Sequence, residues 1–229
     1  MPKITTVLFD LGGTLIKGSD ILEVAKVYNK ILRKYNVIRK VEDIASVYDE
    51  LNNPTILKEI IQIEGRFWIN FNLKLLGKLG VKDHADEIAD IMDRMWWDHV
   101  NIVLYDDVIG TLEKLYKSNV VLGIISNSLE SDIEHILSIT GIKEYFKIKV
   151  GIDTFKCVKP EKEIFVKTIE RYGLEKEKTL FVGDSLENDY VGAMNAGINA
   201  IIVDREDKIR EKGVKKVKSL LELVNFCLS

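Results

Sequence analysis

Thr5-Thr6-Val7-Leu8-Phe9-Asp10-Leu11-Gly12-Gly13-Thr14, near the start of a 229-residue chain, is the stretch from which the fold can be read. Thr5 to Phe9 is β-branched, apolar and too short for a helix, which predicts a buried strand that delivers Asp10 to its C-terminal end. Gly12 and Gly13 then predict a tight turn. In open α/β sheets ligands sit beyond the carboxyl ends of the strands, so an acid at that point, ahead of two glycines, marks a candidate site. An Asp before Gly-Gly is also ordinary turn chemistry, so the rest of the chain has to decide.

After Asp10 the pattern changes. From Asp20 to about Asp98 the periodicity is helical. Ile21, Val24, Ala25, Tyr28, Ile31 and Leu32 share one face, and Ile44, Val47, Tyr48 and Leu51 another. Ile60, Ile63, Phe67, Phe71 and Leu75 read as a further stripe, and Ile88, Ile91, Met92, Met95 and Trp96 as the next. Past Asn101 strands and helices alternate. Val120–Ile125, Tyr145–Val150, Thr179–Val182 and Ala200–Val203, the last of them, read as strands. The segments 108–116, 133–139, 161–172, 188–196 and 219–226 read as helices. Alternation of this kind predicts an α/β fold: a Rossmann-like, doubly wound parallel sheet, with the helical segment inserted as a cap. The division expected is a core of 1–16 and 101–229 and a cap of 17–100. Its hinges fall near Lys17-Gly18-Ser19 and near Val100 to Asp106.

Bulk properties narrow the class. The chain is 46% hydrophobic and 30% charged, with 33 basic and 36 acidic residues, a balance that gives no footprint for nucleic acid. No apolar run is long enough to span a membrane and no signal-peptide pattern is present, so a soluble, cytoplasmic protein is expected. Cys157 and Cys227 are too few and too far apart to suggest a disulfide framework or a zinc site. Oligomeric state is not legible.

Parallel strands would place Asp10, Ser126 and Asp184 on one edge. Lys159 lies just ahead of a helix, and Asp189 sits a turn into the helix after Asp184. Two carboxylates about 4 Å apart repel by roughly 4 kcal/mol at an effective dielectric near 20, so such a cluster needs a cation. Hard oxygen ligands select Mg²⁺, which shares its coordination with phosphate. Lys159 would neutralise the remaining charge, and Ser126 with nearby N–H groups would bind phosphate oxygens.

Phe9-Asp10-Leu11-Gly12-Gly13-Thr14-Leu15, Ser126-Asn127, Lys159-Pro160, and Gly183-Asp184-Ser185 with Asn188-Asp189 together resemble the four-motif signature of the haloacid dehalogenase-like hydrolase superfamily. The similarity is to the branch whose helical cap follows the first strand. It implies a Mg²⁺-dependent hydrolase that transfers a phosphoryl group from a small phosphorylated metabolite through an aspartyl phosphate. Carried over by position, Asp10 is the nucleophile, and Asp10, the Gly12 carbonyl and Asp184 are metal ligands. Asp189 is either a further ligand or a partner acting through water or Lys159. Thr14, Ser126 and Asn127 hold phosphoryl oxygens or orient the nucleophile.

One position departs from the pattern. The family's phosphatases usually carry a second Asp where this chain has Gly12, and general acid–base help of that kind is worth about 10²- to 10⁴-fold. Three readings follow: a phosphatase that is slow or restricted to good leaving groups, a dehalogenase-type or phosphonate-cleaving hydrolase, or a phosphate binder without turnover. Retention of Asp184 and Asp189 favours Mg²⁺ and a phosphorus substrate. Phosphonate cleavage would also need a cap lysine for a Schiff base, and Lys58 is the candidate by position. Arg66, Phe67, Trp68, Trp96, Trp97 and His99 read as cap packing residues.

Overall fold

A computed structural model describes residues 3–17 and 20–228. The chain divides into two compact units, one of Met1–Gly18 with Ile102–Ser229 and the other of Ser19–Asn101. Of the first expected hinge, Gly18 and Ser19 lie outside the described residues.

The discontinuous unit is a six-stranded, all-parallel sheet. Its strands are β1 (Thr6–Phe9), β2 (Val121–Ile125), β3 (Phe146–Val150), β4 (Thr179–Gly183), β5 (Asn199–Val203) and β6 (Lys216–Val217), in the order β3-β2-β1-β4-β5-β6. The first strand is central. Thr6, Val7, Leu8 and Phe9 pair with Val121 to Ile124 on one side and with Thr179 to Val182 on the other. All four β1 residues are buried, which is why its sequence is continuously apolar and β-branched instead of alternating. Burying a side chain such as Leu8 or Phe9 contributes about 1.5–3 kcal/mol. Chain order steps outward from β1 to β2 and β3, then returns to β4 on the opposite flank. The crevice between the carboxyl ends of β1 and β4 is therefore the point where the winding reverses.

The strands alternate with helices Val108–Lys117, Glu130–Ile139, Ile152–Phe155, Lys162–Tyr172, Gly192–Asn195 and Leu221–Leu228. Two readings need correction. Ala200–Val203 is not the last strand, because Lys216 and Val217 pair with Ile202 and Val203 to form β6. The expected helix over 188–196 opens instead as a wide π turn, Leu186–Val191, and only Gly192–Asn195 is α-helical.

Among its described residues, the elements of the continuous unit are all helices: α1 (Ile21–Lys34), α2 (Val41–Leu51), α3 (Pro54–Gln62), α4 (Phe67–Lys78) and α5 (Ala85–Met95). Asp20 caps α1 by accepting the Leu22 N–H at 3.0 Å, and Asn53 caps α3 in the same way through Ile56, with Pro54 at the first helical position. Val24, Tyr28, Ile31, Ile44, Leu57, Phe71, Leu75, Ile88 and Met92 form its interior. The stripe read over Ile60, Ile63, Phe67, Phe71 and Leu75 is divided between two helices. Ile63 turns extended, Gly65 takes a positive φ of 103°, and α3 and α4 are separate helices.

Candidate active site

Asp10 follows β1 directly and Asp184 follows β4, so the register of those two strands sets both acids at the reversal crevice. Asp189 comes back to the same place because of the π turn. The Ser185 hydroxyl accepts the Asn188 N–H, and the Ser185 carbonyl accepts from Asp189 and Tyr190. The wider turn swings the Asp189 carboxylate inward, where Oδ2 accepts the N–H groups of Asp184 at 3.0 Å and Ser185 at 2.9 Å. Asp10, Asp184 and Asp189 each bring a carboxylate oxygen within 4.8 Å of the others.

Lys159 lies among them. Its ammonium donates to Asp10 Oδ1 and to Asp189 Oδ1, both at 2.6 Å, and stands 5.4 Å from the Phe181 ring centroid. Its side chain is 3% exposed, so these charge-assisted bonds form away from water, where they are strongest. Burial would lower the Lys159 pKa, but the two carboxylates hold it above the ordinary lysine range. Burial raises Asp10 most. Lys159 opposes that rise, while the charges of Asp189 and Asp184 add to it, and the net direction is upward. Although the most solvent-exposed of the three acids, Asp184 is pushed up to about 6 by partial desolvation at the crevice and then by Asp189, against the pull of Lys159 and Arg205.

The other sequence candidates fall in two groups. The Thr14 hydroxyl faces Asp10 Oδ2 at 3.4 Å. Ser126, buried at the exit of β2, directs its hydroxyl to Ser128 Oγ at 3.3 Å. Asn127 grips the Lys159 main chain at both ends: Oδ1 accepts its N–H at 2.7 Å and Nδ2 donates to its carbonyl at 3.1 Å. Its amide is thus engaged in placing the lysine. Gly13 has a φ of 78°, and a Cβ there would lie 2.2 Å from Asp184 Oδ2. A Cβ on Gly183 would lie 2.3 Å from Asp189. These two glycines make the space the carboxylates fill. Gly12 is different, since a Cβ there meets nothing within 4 Å.

In the helical unit, Lys58 is exposed on α3. Arg66 pairs with Asp90 at 3.1 Å and with Asp93. Phe67 is buried, whereas Trp68, Trp96 and Trp97 line a cavity with Tyr28, Asn72, Met92 and Asp93. The Tyr28 hydroxyl donates to Asn72, which donates onward to the Ala89 carbonyl. His99 Nδ1 lies 3.0 Å from the Asp98 carbonyl oxygen. Sequence reading missed Arg205, whose contacts join segments far apart in the chain and leave no local pattern.

Fold and site together define a doubly wound α/β protein with a carboxylate-rich centre at its reversal crevice. The chain belongs to the haloacid dehalogenase-like hydrolase family, whose model matches residues 7–203. A curated relative, pyrophosphatase PpaX of Bacillus mycoides (strain KBAB4), is 28% identical over 204 residues, covering 88% of this chain and 84% of the relative. A crystal structure of a HAD phosphatase from Thermococcus onnurineus aligns over 97% of both chains with a TM-score of 0.67 and 26% identity. A 2-haloacid dehalogenase from Pseudomonas syringae pv. Tomato DC3000 aligns over 99% of this chain and 100% of its own with a TM-score of 0.75. At 21% identity that likeness shows the fold alone.

Proposed function

We propose that this protein is a Mg²⁺-dependent phosphatase acting on a small phosphorylated metabolite through an aspartyl phosphate on Asp10. The observation that carries this reading is the cluster itself. Asp10 and Asp189 share a single ammonium and Asp184 brings a third carboxylate within 4.8 Å of theirs, which leaves a formal excess of two negative charges. The donor set fits the ion: hard carboxylate oxygens of Asp10, Asp184 and Asp189 converge within 4.8 Å of one another, and Gly13 makes room for the Asp184 carboxylate among them. Asp10, Asp184 and the Gly12 carbonyl would hold Mg²⁺. Asp189 joins them as a further ligand or, with Oδ1 on Lys159 and Oδ2 on two N–H groups, through the groups it positions. When bound, Mg²⁺ would offset the charge of the phosphoryl oxygens.

In the first step an Asp10 carboxylate oxygen attacks phosphorus. The bond to the leaving oxygen breaks and its electron pair departs with the leaving group. Lys159 favours the ionised form of Asp10 against burial and holds it in place, while Thr14 and Ser126 offer hydroxyls to the phosphoryl group. Water then attacks the same phosphorus, phosphate is released with a proton to solvent, and Asp10 is regenerated. No side chain at Gly12 can protonate the leaving oxygen, and Lys159 is held between two carboxylates that retain its proton. The chemistry therefore suits leaving groups that depart as stable anions, acyl phosphates and phosphoanhydrides above all. The name of the PpaX relative, a pyrophosphatase, supports that class.

The test is a phosphate-release screen over acyl phosphates, anhydrides, sugar phosphates and nucleotides, with and without Mg²⁺, on wild type and Asp10→Asn. Mg²⁺-dependent release that Asp10→Asn abolishes is expected. Halide release from a 2-haloacid that survives Asp184→Asn would establish the metal-free dehalogenase instead.

A further inference from the structure

We propose that Arg205 is a positioning residue for this site, holding the turn that carries Asp10 through the main-chain carbonyl of Thr14. The inference rests on the reading of Asp10 as nucleophile and adds a residue that neither the sequence motifs nor the acidic cluster includes.

Arg205 lies two residues beyond β5, on the same edge of the sheet as Asp10 and Asp184. Its Nη2 donates to the Thr14 carbonyl at 3.0 Å. Nη1 and Nη2 form a bidentate pair with Asp107 at 2.8 and 3.0 Å, and the guanidinium lies 3.8 Å from the Tyr105 ring centroid. Nε is buried without a hydrogen-bond partner. The head group is thus fixed by its two terminal nitrogens and by stacking, at the cost of leaving one donor unmet.

The turn that receives this contact is closed mainly on itself. Leu15 and Ile16 donate to the Leu11 carbonyl, and Gly13 donates to the Ile16 carbonyl. Beyond those internal bonds, two successive peptides are tied outward, by Arg205 at the Thr14 carbonyl and by the Tyr105 N–H at the Leu15 carbonyl. Both ties converge on residues 105–107, and the Thr14 side chain faces Asp10. Displacing the turn would move Thr14 and the nucleophile it faces, and a misplacement of about 1 Å can cost about 10²-fold in rate. A lysine could meet the Thr14 carbonyl or Asp107 but not present the planar fork that meets both.

Asp107 also accepts from Ser219 Oγ at 2.7 Å and the Leu220 N–H at 2.8 Å, so the cluster anchors the C-terminal helix as well. The experiment separates this anchoring from positioning. Wild type, Asp10→Asn, Arg205→Met, Arg205→Lys and Ser219→Ala are compared in acetyl phosphate hydrolysis with Mg²⁺. The rise in melting temperature on adding Mg²⁺ with beryllofluoride, a mimic of the phosphorylated carboxylate, is measured in parallel. Arg205→Met keeps an apolar side chain of similar reach but neither the donors nor the guanidinium over Tyr105. It is expected to lower kcat about 10- to 100-fold with KM changed less than about threefold, and to lose most of the beryllofluoride-induced rise. Arg205→Lys recovers part of both, and Ser219→Ala lowers the melting temperature while leaving kcat unchanged. A kcat for Arg205→Met within about twofold of wild type overturns the inference. So does an equal kcat loss in Ser219→Ala, which would make the effect one of anchoring. If Asp10→Asn still turns over, or beryllofluoride does not stabilise wild type, the nucleophile assignment fails and this inference with it. If both Asp10 results hold and Arg205→Met behaves as wild type, only the role of Arg205 is lost.

Discussion

Gly12 and Gly13 are neighbours of the same type with opposite reasons to be glycine. Gly13 takes a left-handed φ of 78°, and its hydrogen faces Asp184 where a methyl group would collide. Gly12 has neither constraint: its φ is not positive and a side chain there would enter open space. The backbone therefore tolerates an acid at position 12. Gly12→Asp is expected to fold as wild type and to raise hydrolysis of alkyl phosphate esters by about 10²-fold, the lower end of general acid catalysis. Acyl phosphates, which need no protonation to leave, should change little. The ratio of the two kcat/KM values is the measurement, and an unchanged ratio would refute the link between Gly12 and leaving-group preference.

At the scale of single elements, legibility tracks how local each determinant is. The strand before Asp10 could be read because burial on both faces leaves an unbroken apolar run, and α1 because Asp20 and its stripe are contiguous. The π turn could not, since Leu186–Val191 widens to aim Asp189 at the N–H groups of Asp184 and Ser185. Asn127 was placed in the site by motif, yet its amide is engaged with the Lys159 main chain, a partner 32 residues away. β6 escaped because Lys216-Val217 has no strand pattern. Its backbone bonds to β5 are reinforced by a side-chain tie. The Lys216 ammonium bonds Asp204 at 2.9 Å and Asp207 at 2.8 Å, and Asp204 also accepts the N–H groups of Lys208 and Ile209. Lys216 above all, with those N–H groups, lowers the Asp204 carboxyl from 3.8 to about 2. A depressed folded-state value stabilises the protein above the unfolded value and ceases to do so as pH falls through the folded one. Asp204→Asn should accordingly lower the urea midpoint at pH 7, and its deficit against wild type should close between about pH 4 and pH 2. A deficit that stays constant over that range would remove Asp204 as its source.

Over the whole molecule, the sheet order makes one crevice do two things that oppose each other. It buries the first strand between β2 and β4, and it draws three carboxylates to the ends of β1 and β4. Without a cation their mutual repulsion works against the folded state, and Lys159 offsets only part of it. Mg²⁺ binding only the folded form would stabilise it by about 2.7 kcal/mol at a hundred times its dissociation constant. For a chain of this size that is a rise in melting temperature of about 5–10 °C. Asp184 is the acid most open to solvent among the three, so replacing it relieves repulsion without leaving a buried partner unpaired. Asp184→Asn is therefore expected to melt above wild type in chelator and to gain little from Mg²⁺, so that the two melting curves exchange order when the metal is added. If wild type and Asp184→Asn instead gain equally from Mg²⁺, the ion binds elsewhere. If Asp184→Asn melts below wild type in chelator, the carboxylate supports the fold directly and the repulsion argument fails.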